Sequence, residues 1–348
     1  MKLTHGGDVY SKENQGLLDF SANINPLGLP QGVKQALHAA VDACARYPDP
    51  LSRTLTEAIG RYEGVAPQKI LCANGASALF YQLAAAFAPA VALQPAPAFS
   101  EYRQAVEAFG GQMQAVPFAL DGEEAVPPAF FQAIAPPVSL VFFCNPNNPT
   151  GQVVSREQIE EMAIRCAQIG ALLVVDECFM DFVQNKLACT AKPLLEAYPN
   201  LVIIKAFTKI FAMPGVRLGY ALFASPKVKE KLARCGQAWG VSTFAQKAGV
   251  AAAKEQDFVE KTVLYVAKER AFLQKGLHAV GWTVFPGAAN FLLLHAQTQE
   301  NVGQKLHERG ILVRDCANFE TLSKGYIRVA VRTHAENVQL LAAMEGLF

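Results

Sequence analysis

"AFTKIFAMPGVRLGY", residues 206–220, follows the apolar run Leu201–Ile204. Lys209 therefore stands where a buried strand would run into its loop, with Thr208 just before it and Arg217 eight residues on. A lysine at a surface stays solvated and charged. A lysine held at the mouth of a core can lose its proton and act as a nucleophilic amine. Taken alone, a structural lysine is the commoner case, so the rest of the chain must decide.

Working outward, short apolar runs of strand character recur at Lys69–Cys72, Ala90–Gln94, Gln112–Val116, Ser139–Cys144, Ala171–Asp176, Leu201–Lys205 and Gly219–Phe223. Helix-like segments lie between several of them, at Ala76–Phe87, Phe99–Phe109 and Arg156–Ile169, the last opened by a Ser155/Gln158 capping box. Runs of Val, Leu and Ile alternating with helices predict a large α/β domain around a mainly parallel, seven-stranded sheet. Past about Val241 the pattern changes. A long helix is expected near Asp257–Val280, then strands at Asn290–His295, Ile311–Arg314 and Tyr326–Val331, and a last helix after the Thr333/Glu336 capping box. This reads as a smaller α+β domain. The expected division is an N-terminal arm with part of the small domain (1–45, with a helix near Gly32–Ala45), a large domain (46–240), and a linking helix with the rest of the small domain (241–348).

Bulk properties narrow the function classes. Hydrophobic residues make up 51% of the 348, enough for a sizeable core. The net charge of +1 argues against nucleic acid or an anionic membrane as the main partner. The eight cysteines are scattered without a CxxC pair, so neither a metal site nor a disulfide framework is expected, and a reduced, cytoplasmic setting is. The opening "MKLTHGGDVYSKENQ" is polar, and the most apolar stretch, Leu83–Leu93, is short and holds Pro89.

In α/β sheets ligands collect beyond the carboxyl ends of strands. Asn74-Gly75-Ala76-Ser77 is a tight turn feeding a helix, and small residues there let backbone N–H groups approach an anion. By itself such a turn is usually only a turn. "NPNNPTG" (Asn145–Gly151) is a loop dense in amides beside a buried strand. "DECF" (Asp176–Phe179) ends the run "ALLVV" with a carboxylate, which is costly there unless paired. A salt bridge or helix cap would explain it equally well. Anion cradle, amide loop, buried carboxylate, lysine and Arg217 together match one cofactor. Pyridoxal 5′-phosphate (PLP) needs a lysine to carry it, an acid partner for its pyridinium nitrogen, and a phosphate site.

These stretches also carry a resemblance. "NPNNPTG", "DECF" and "TKIFAMPGVRLGY" stand in the order and spacing of the fold-type I PLP enzymes. The chain resembles their class I and II aminotransferase group over nearly its whole length. The resemblance implies Lys209 as the cofactor-bearing lysine, Asp176 as partner of the pyridinium nitrogen, and Asn148 against the ring hydroxyl. It implies Ala76, Ser77, Thr208 and Arg217 at the phosphate. Tyr102, in "FSEYRQA", would stack on the ring, with Phe99 as its rival. Tyr47, in "RYPDP", would cross a homodimer interface to the neighbour's phosphate site, although by itself it reads as a core aromatic. Phe179 departs from the pattern. Related aminotransferases usually carry tyrosine there, and a phenyl ring cannot hydrogen-bond the cofactor's oxygen.

Within the group the chain resembles two enzyme types, histidinol-phosphate aminotransferases and threonine-phosphate decarboxylases. "HGGD" (His5–Asp8), "LDFSANINPLGLP" (Leu18–Pro30) and "ILVRDCANFETLSKGYIRVAVR" (Ile311–Arg332) resemble the second closely, and decarboxylases of this type share the phenylalanine of Phe179. That resemblance implies decarboxylation of O-phospho-L-threonine, or O-phospho-L-serine, to an aminoalkyl phosphate for the cobalamin nucleotide loop. The alternative is transamination of histidinol phosphate. His5, Gly6, Asn23, Asn148, Arg314 and Arg328 would contact the phosphoamino acid. Residue chemistry agrees in part, because arginine forks suit carboxylate and phosphate. Read singly, each arginine is more often a surface ion pair, and His5 a plain tail residue. Which Cα bond breaks would follow from how the phosphate and carboxylate contacts orient the substrate.

Overall fold

Branched aliphatic residues fill the strands because the main sheet is covered on both faces. A computed structural model describes residues 5–121, 126–296 and 301–347. Along the chain the strands are β1 (Leu18–Asp19), β2 (Ile70–Asn74), β3 (Val91–Ala96), β4 (Gln112–Pro117), β5 (Val138–Cys144), β6 (Leu172–Asp176), β7 (Leu201–Ala206) and β8 (Leu218–Phe223), then β9 (Thr283–Val284), β10 (Phe291–His295), β11 (Ile311–Leu312), β12 (Arg314–Asp315) and β13 (Tyr326–Ala330). Seven of them form one sheet in the order β2-β8-β7-β6-β5-β3-β4. β8 runs antiparallel to β2 and β7, and the other neighbours are parallel. β6, β7 and β8 are buried at every residue. Alternation along a strand sends Val175 and Ile203 into one core and Val174 and Ile204 into the other, on the opposite face.

The second sheet has four strands in the order β12-β13-β10-β9. The expected strand Ile311–Arg314 proves to be two pieces in two sheets. Ile311 and Leu312 pair in parallel with Leu18 and Asp19, while Arg314 and Asp315 pair with Arg328 and Ile327. The chain changes partners at Val313, which joins the N-terminal segment to the C-terminal sheet and brings Arg314 opposite Arg328.

Among the described residues, helices that were not foreseen include Arg53–Glu63, Pro226–Ala233 and Thr243–Ala252. The first is polar on average, but Leu55, Ala58, Ile59 and Tyr62 recur at helical spacing and bury one stripe, a periodic signal that was present in the sequence and missed. The N-terminal helix is shorter than expected. It spans Gln31–Ala39 and tightens into a 3₁₀ segment at Val41–Ala45. It packs on Thr243–Ala252, which in turn packs on Arg53–Glu63. The expected long helix forms as Gln256–Ala279, and both capping boxes are made. Among the described residues no helix is long and apolar enough to cross a membrane.

Candidate active site

The carboxyl ends of β5, β6 and β7 open onto a cavity of about 450 Å³. Lys209 enters it from a single helical turn, Phe207–Ile210, directly after β7. Burial, and then the charges of Arg328 and Arg217, hold its amine down at about 8. The neutral, nucleophilic form is therefore far more populated near neutrality than for a solvated lysine.

Asp176 is the last residue of β6 and only 5% exposed. Its Oδ2 accepts the Tyr102 hydroxyl at 2.6 Å and its Oδ1 accepts the Cys178 N–H at 2.9 Å. Burial raises its pKa, partly offset by these hydrogen bonds, and among the described residues no cationic side chain forms an ion pair with it. A buried carboxylate facing a cavity with hydrogen bonds but no counter-charge suits a ligand's cationic nitrogen.

An anion cradle lies at the start of the helix Ala76–Phe87. Gly75 caps it at φ +78°, and a Cβ there would run into the Arg217 guanidinium. Only glycine lets that guanidinium lie against the turn. Ala76, Ser77, Thr208 and Arg217 all line the cavity at this end. Arg217 itself sits in left-handed backbone, φ 61°, with Nη1 donating to the Pro214 carbonyl at 3.2 Å. Thr208 donates weakly to the Leu218 carbonyl at 3.4 Å. Helix terminus, glycine cradle, guanidinium, unpaired carboxylate and low-pKa lysine together fit PLP.

A second set of polar groups comes from the arm and the small sheet. Arg328 is 7% exposed, donates from Nη1 to Asn148 Oδ1 at 2.5 Å and from Nη2 to the Ser21 carbonyl at 3.0 Å. Burial lowers its pKa to about 10, and among the described residues its buried Nε has no hydrogen-bond partner, nor has Asn23 Oδ1. Arg314 lies directly across from it in the β12–β13 register. Arg314 is held by Asn318 Oδ1 at 2.8 Å, by the neighbouring Asp315 carbonyl, and by the Phe319 ring 5.0 Å from its Cζ. His5 and Gly6 reach the same cavity. His5 Nε2 lies 2.8 Å from Glu101 Oε1. A Cβ on Gly6 would overlap the Ser21 carbonyl, so only glycine lets the arm lie this close.

Two expectations meet a different arrangement. Tyr102 does not line the cavity, so it is not placed to stack on a ring there. Its own ring stacks on Phe142 at 5.0 Å and 6°, and its hydroxyl holds Asp176 from behind. Phe99, its rival, does line the cavity. The reason is the 3.6-residue period of the helix Ser100–Ala108, which turns Tyr102 into the core with Ala105 and Val106. Tyr47 is not a core aromatic. It is 80% exposed and stacks on Trp239 at 4.8 Å, away from this chain's own cavity. Phe179 lines the cavity and packs edge-on against Phe291 at 5.1 Å. Arg332 lies outside it, tied to the Asp19 carbonyl at 2.7 Å and to Glu336 at 2.6 Å. Glu101 and Phe319 line the cavity but were not singled out, although both lie within the quoted "FSEYRQA" and "RDCANFE".

Against known proteins, the aminotransferase class I and II family matches residues 15–344. The chain belongs to that family. It is 33% identical to the threonine-phosphate decarboxylase of Salmonella typhimurium over 351 residues, covering 99% of this chain and 96% of that one. It is also 33% identical to a histidinol-phosphate aminotransferase of Desulfitobacterium hafniense, covering 96% and 92%. Among solved structures, the histidinol-phosphate aminotransferase of Clostridium acetobutylicum superposes with a TM-score of 0.88 at 27% identity, covering 95% of this chain and 99% of that one.

Proposed function

We propose that the protein is a PLP-dependent decarboxylase of O-phospho-L-threonine, or of O-phospho-L-serine, yielding an aminoalkyl phosphate for the cobalamin nucleotide loop. The cross-strand pair Arg314–Arg328 carries the reading. Like charges directly opposite in a sheet are destabilising by themselves. Two arginines with His5 nearby, all on one cavity and apart from the Arg217 cradle, match a substrate bearing two anionic groups. A phosphoamino acid has a carboxylate and a phosphate. Histidinol phosphate has only the phosphate, although the two carboxylates of its 2-oxoglutarate partner would also match the pair, so product analysis separates the two reactions.

PLP, carried by Lys209, supplies the electron sink for cleavage at the substrate's Cα. The cradle of Ala76, Ser77, Thr208 and Arg217 binds its phosphate, Asn148 meets its hydroxyl, and Asp176 holds the proton on its ring nitrogen. Tyr102 keeps Asp176 oriented. Phe179 offers an apolar edge where a tyrosine would donate a hydrogen bond. Arg328 with Asn148 binds the substrate carboxylate deep in the cavity, while Arg314, His5, Gly6 and Asn23 bind the phosphate. These contacts choose the bond that breaks by fixing the substrate's orientation. Lys209, with a pKa of about 8 and so substantially protonated near neutrality, would donate from its ammonium the proton that replaces CO₂ at Cα and regain one from solvent.

The protein acts as a cytoplasmic homodimer in this reading. Tyr47 and Trp239, exposed by 80% and 48%, form an aromatic step suited to cover by a second copy, where Tyr47 would meet the neighbour's cofactor phosphate. The testing assay is purified protein with PLP and each phosphoamino acid, measuring CO₂ beside 2-oxo acid. CO₂ release without any added oxo acid is expected, with little glutamate from histidinol phosphate and 2-oxoglutarate. Glutamate formation faster than CO₂ release would establish the aminotransferase instead.

A further inference from the structure

A cavity that accepts a phosphate ester has no obvious use for a carboxylate, yet Glu101 lines it. Glu101 lies one residue into the helix Ser100–Ala108, its side chain 13% exposed. Its Oε1 is 2.8 Å from His5 Nε2. At neutral pH a carboxylate can only accept, so the Nε2 proton is committed to Glu101. The His5 ring also leans on Phe99, the residue that caps this helix, with centroids 5.7 Å apart. The arm's contact with the cavity is thus made on one helix end.

The same helix also holds the loop after Arg314. Arg103 Nη2 lies 2.5 Å from Glu320 Oε2, while Nη1 donates to the Met113 carbonyl at 3.1 Å. Glu320 follows Phe319, on whose ring the Arg314 guanidinium rests. Two elements distant in sequence, the arm at His5 and the loop after Arg314, are therefore tethered to neighbouring positions of one helix. Arg103 does not line the cavity, and the Glu101 carboxylate is engaged by His5.

We propose that the helix Ser100–Ala108 positions the phosphate end of the site, Glu101 by orienting His5 and Arg103 by holding the Arg314 loop through Glu320. The inference rests on the phosphoamino-acid reading above. It converts a weak surface ion pair and a tail histidine into parts of one binding wall. The effect should fall on substrate affinity and be specific to the phosphate group.

The test is spectral titration of the holoenzyme with O-phospho-L-threonine and with L-threonine, alongside steady-state kinetics. Glu101→Gln should raise Kd and KM for the phosphorylated ligand by about 3- to 10-fold, the scale of one partly exposed charged contact. The Kd for L-threonine and kcat should stay within about two-fold. Inorganic phosphate should weaken as a competitor by the same factor. His5→Ala should match Glu101→Gln, and the double variant should be no worse than His5→Ala. Arg103→Glu should give a similar loss, which Arg103→Glu with Glu320→Arg restores. Additive losses from His5 and Glu101, equal losses with both ligands, or no loss at all would overturn the proposal. So would a wild-type protein with no preference for the phosphorylated ligand. Phosphate-selective binding without CO₂ release would refute the decarboxylase while leaving this positioning role supported.

Discussion

The two walls of the cavity are built differently. The wall proposed to hold the cofactor comes from the ends of adjacent parallel strands and their following turns, which supply Asp176, Lys209 and, across β8, Ala76 and Arg217. Each of these residues stands at a fixed offset from a buried apolar run. The substrate wall is assembled from the arm, the helix Ser100–Ala108 and the small sheet, so Arg328 meets Asn148 across 180 residues of chain and the Ser21 carbonyl across 307. The first wall needs only that the sheet forms. The second needs the arm and the small sheet to dock correctly on it. Damage to the first should abolish chemistry, and damage to the second should change what is bound and which bond is broken.

The largest effect is expected on the cofactor wall. Lys209→Ala should still bind PLP yet lose the near-visible absorbance of the lysine-bound cofactor. Borohydride should link cofactor to wild type only, and turnover should drop by at least ~10⁴-fold, the scale of losing a catalytic nucleophile. Borohydride labelling retained in the variant would reassign the lysine.

Arg328→Gln attacks the substrate wall. Removing one partner of a buried charged contact costs ~2–5 kcal/mol, so kcat/KM should fall by roughly 30-fold or more. Since the carboxylate contact is lost, some 2-oxo acid or cofactor amine should appear beside CO₂. An unchanged product ratio would show that Arg328 does not direct bond choice.

The same variant sharpens the link between the walls. Arg328 helps hold the Lys209 amine at about 8, after burial itself. A positive neighbour disfavours the charged amine, so removing it must raise that value. In cofactor-free protein, the rate of PLP reattachment should climb through about pH 8 in wild type and at higher pH in Arg328→Gln. A midpoint that fails to move upward would separate the two groups electrostatically.

Two smaller effects complete the comparison. Tyr102→Phe deletes the 2.6 Å hydrogen bond to Asp176 without opening the cavity. A bond to a charged group is worth ~1.5–3 kcal/mol, so a drop in kcat of about ten-fold or more is expected, with KM little changed. Tyr47→Phe should weaken PLP retention by a comparable charge-assisted contact in a dimer, measured by dialysis and reconstitution. A fully active monomer in sedimentation would remove Tyr47 from the site.

Much of the cofactor wall was legible because strand ends announce themselves. A run such as "ALLVVDE" leaves a carboxylate where an apolar strand stops, and "NGAS" marks a glycine turn into a helix. These are local signals, set by what can be buried and what cannot. What the chain alone also determined is the order of apolar runs and helices, and hence the sheet, since strands buried on both faces tolerate no other pattern. The tertiary structure alone decided the direction in which Tyr102 points, the break at Val313 that sends Arg314 to face Arg328, and the reach of His5 to Glu101. A tyrosine in the first turn of a helix can face cavity or core, and only the neighbouring strands, with Phe142 on β5 and Asp176 on β6 in place, select the core. Arginines read singly favour solvent. They face one another here because strand register, a long-range property, puts them there and a cavity lies in front of both.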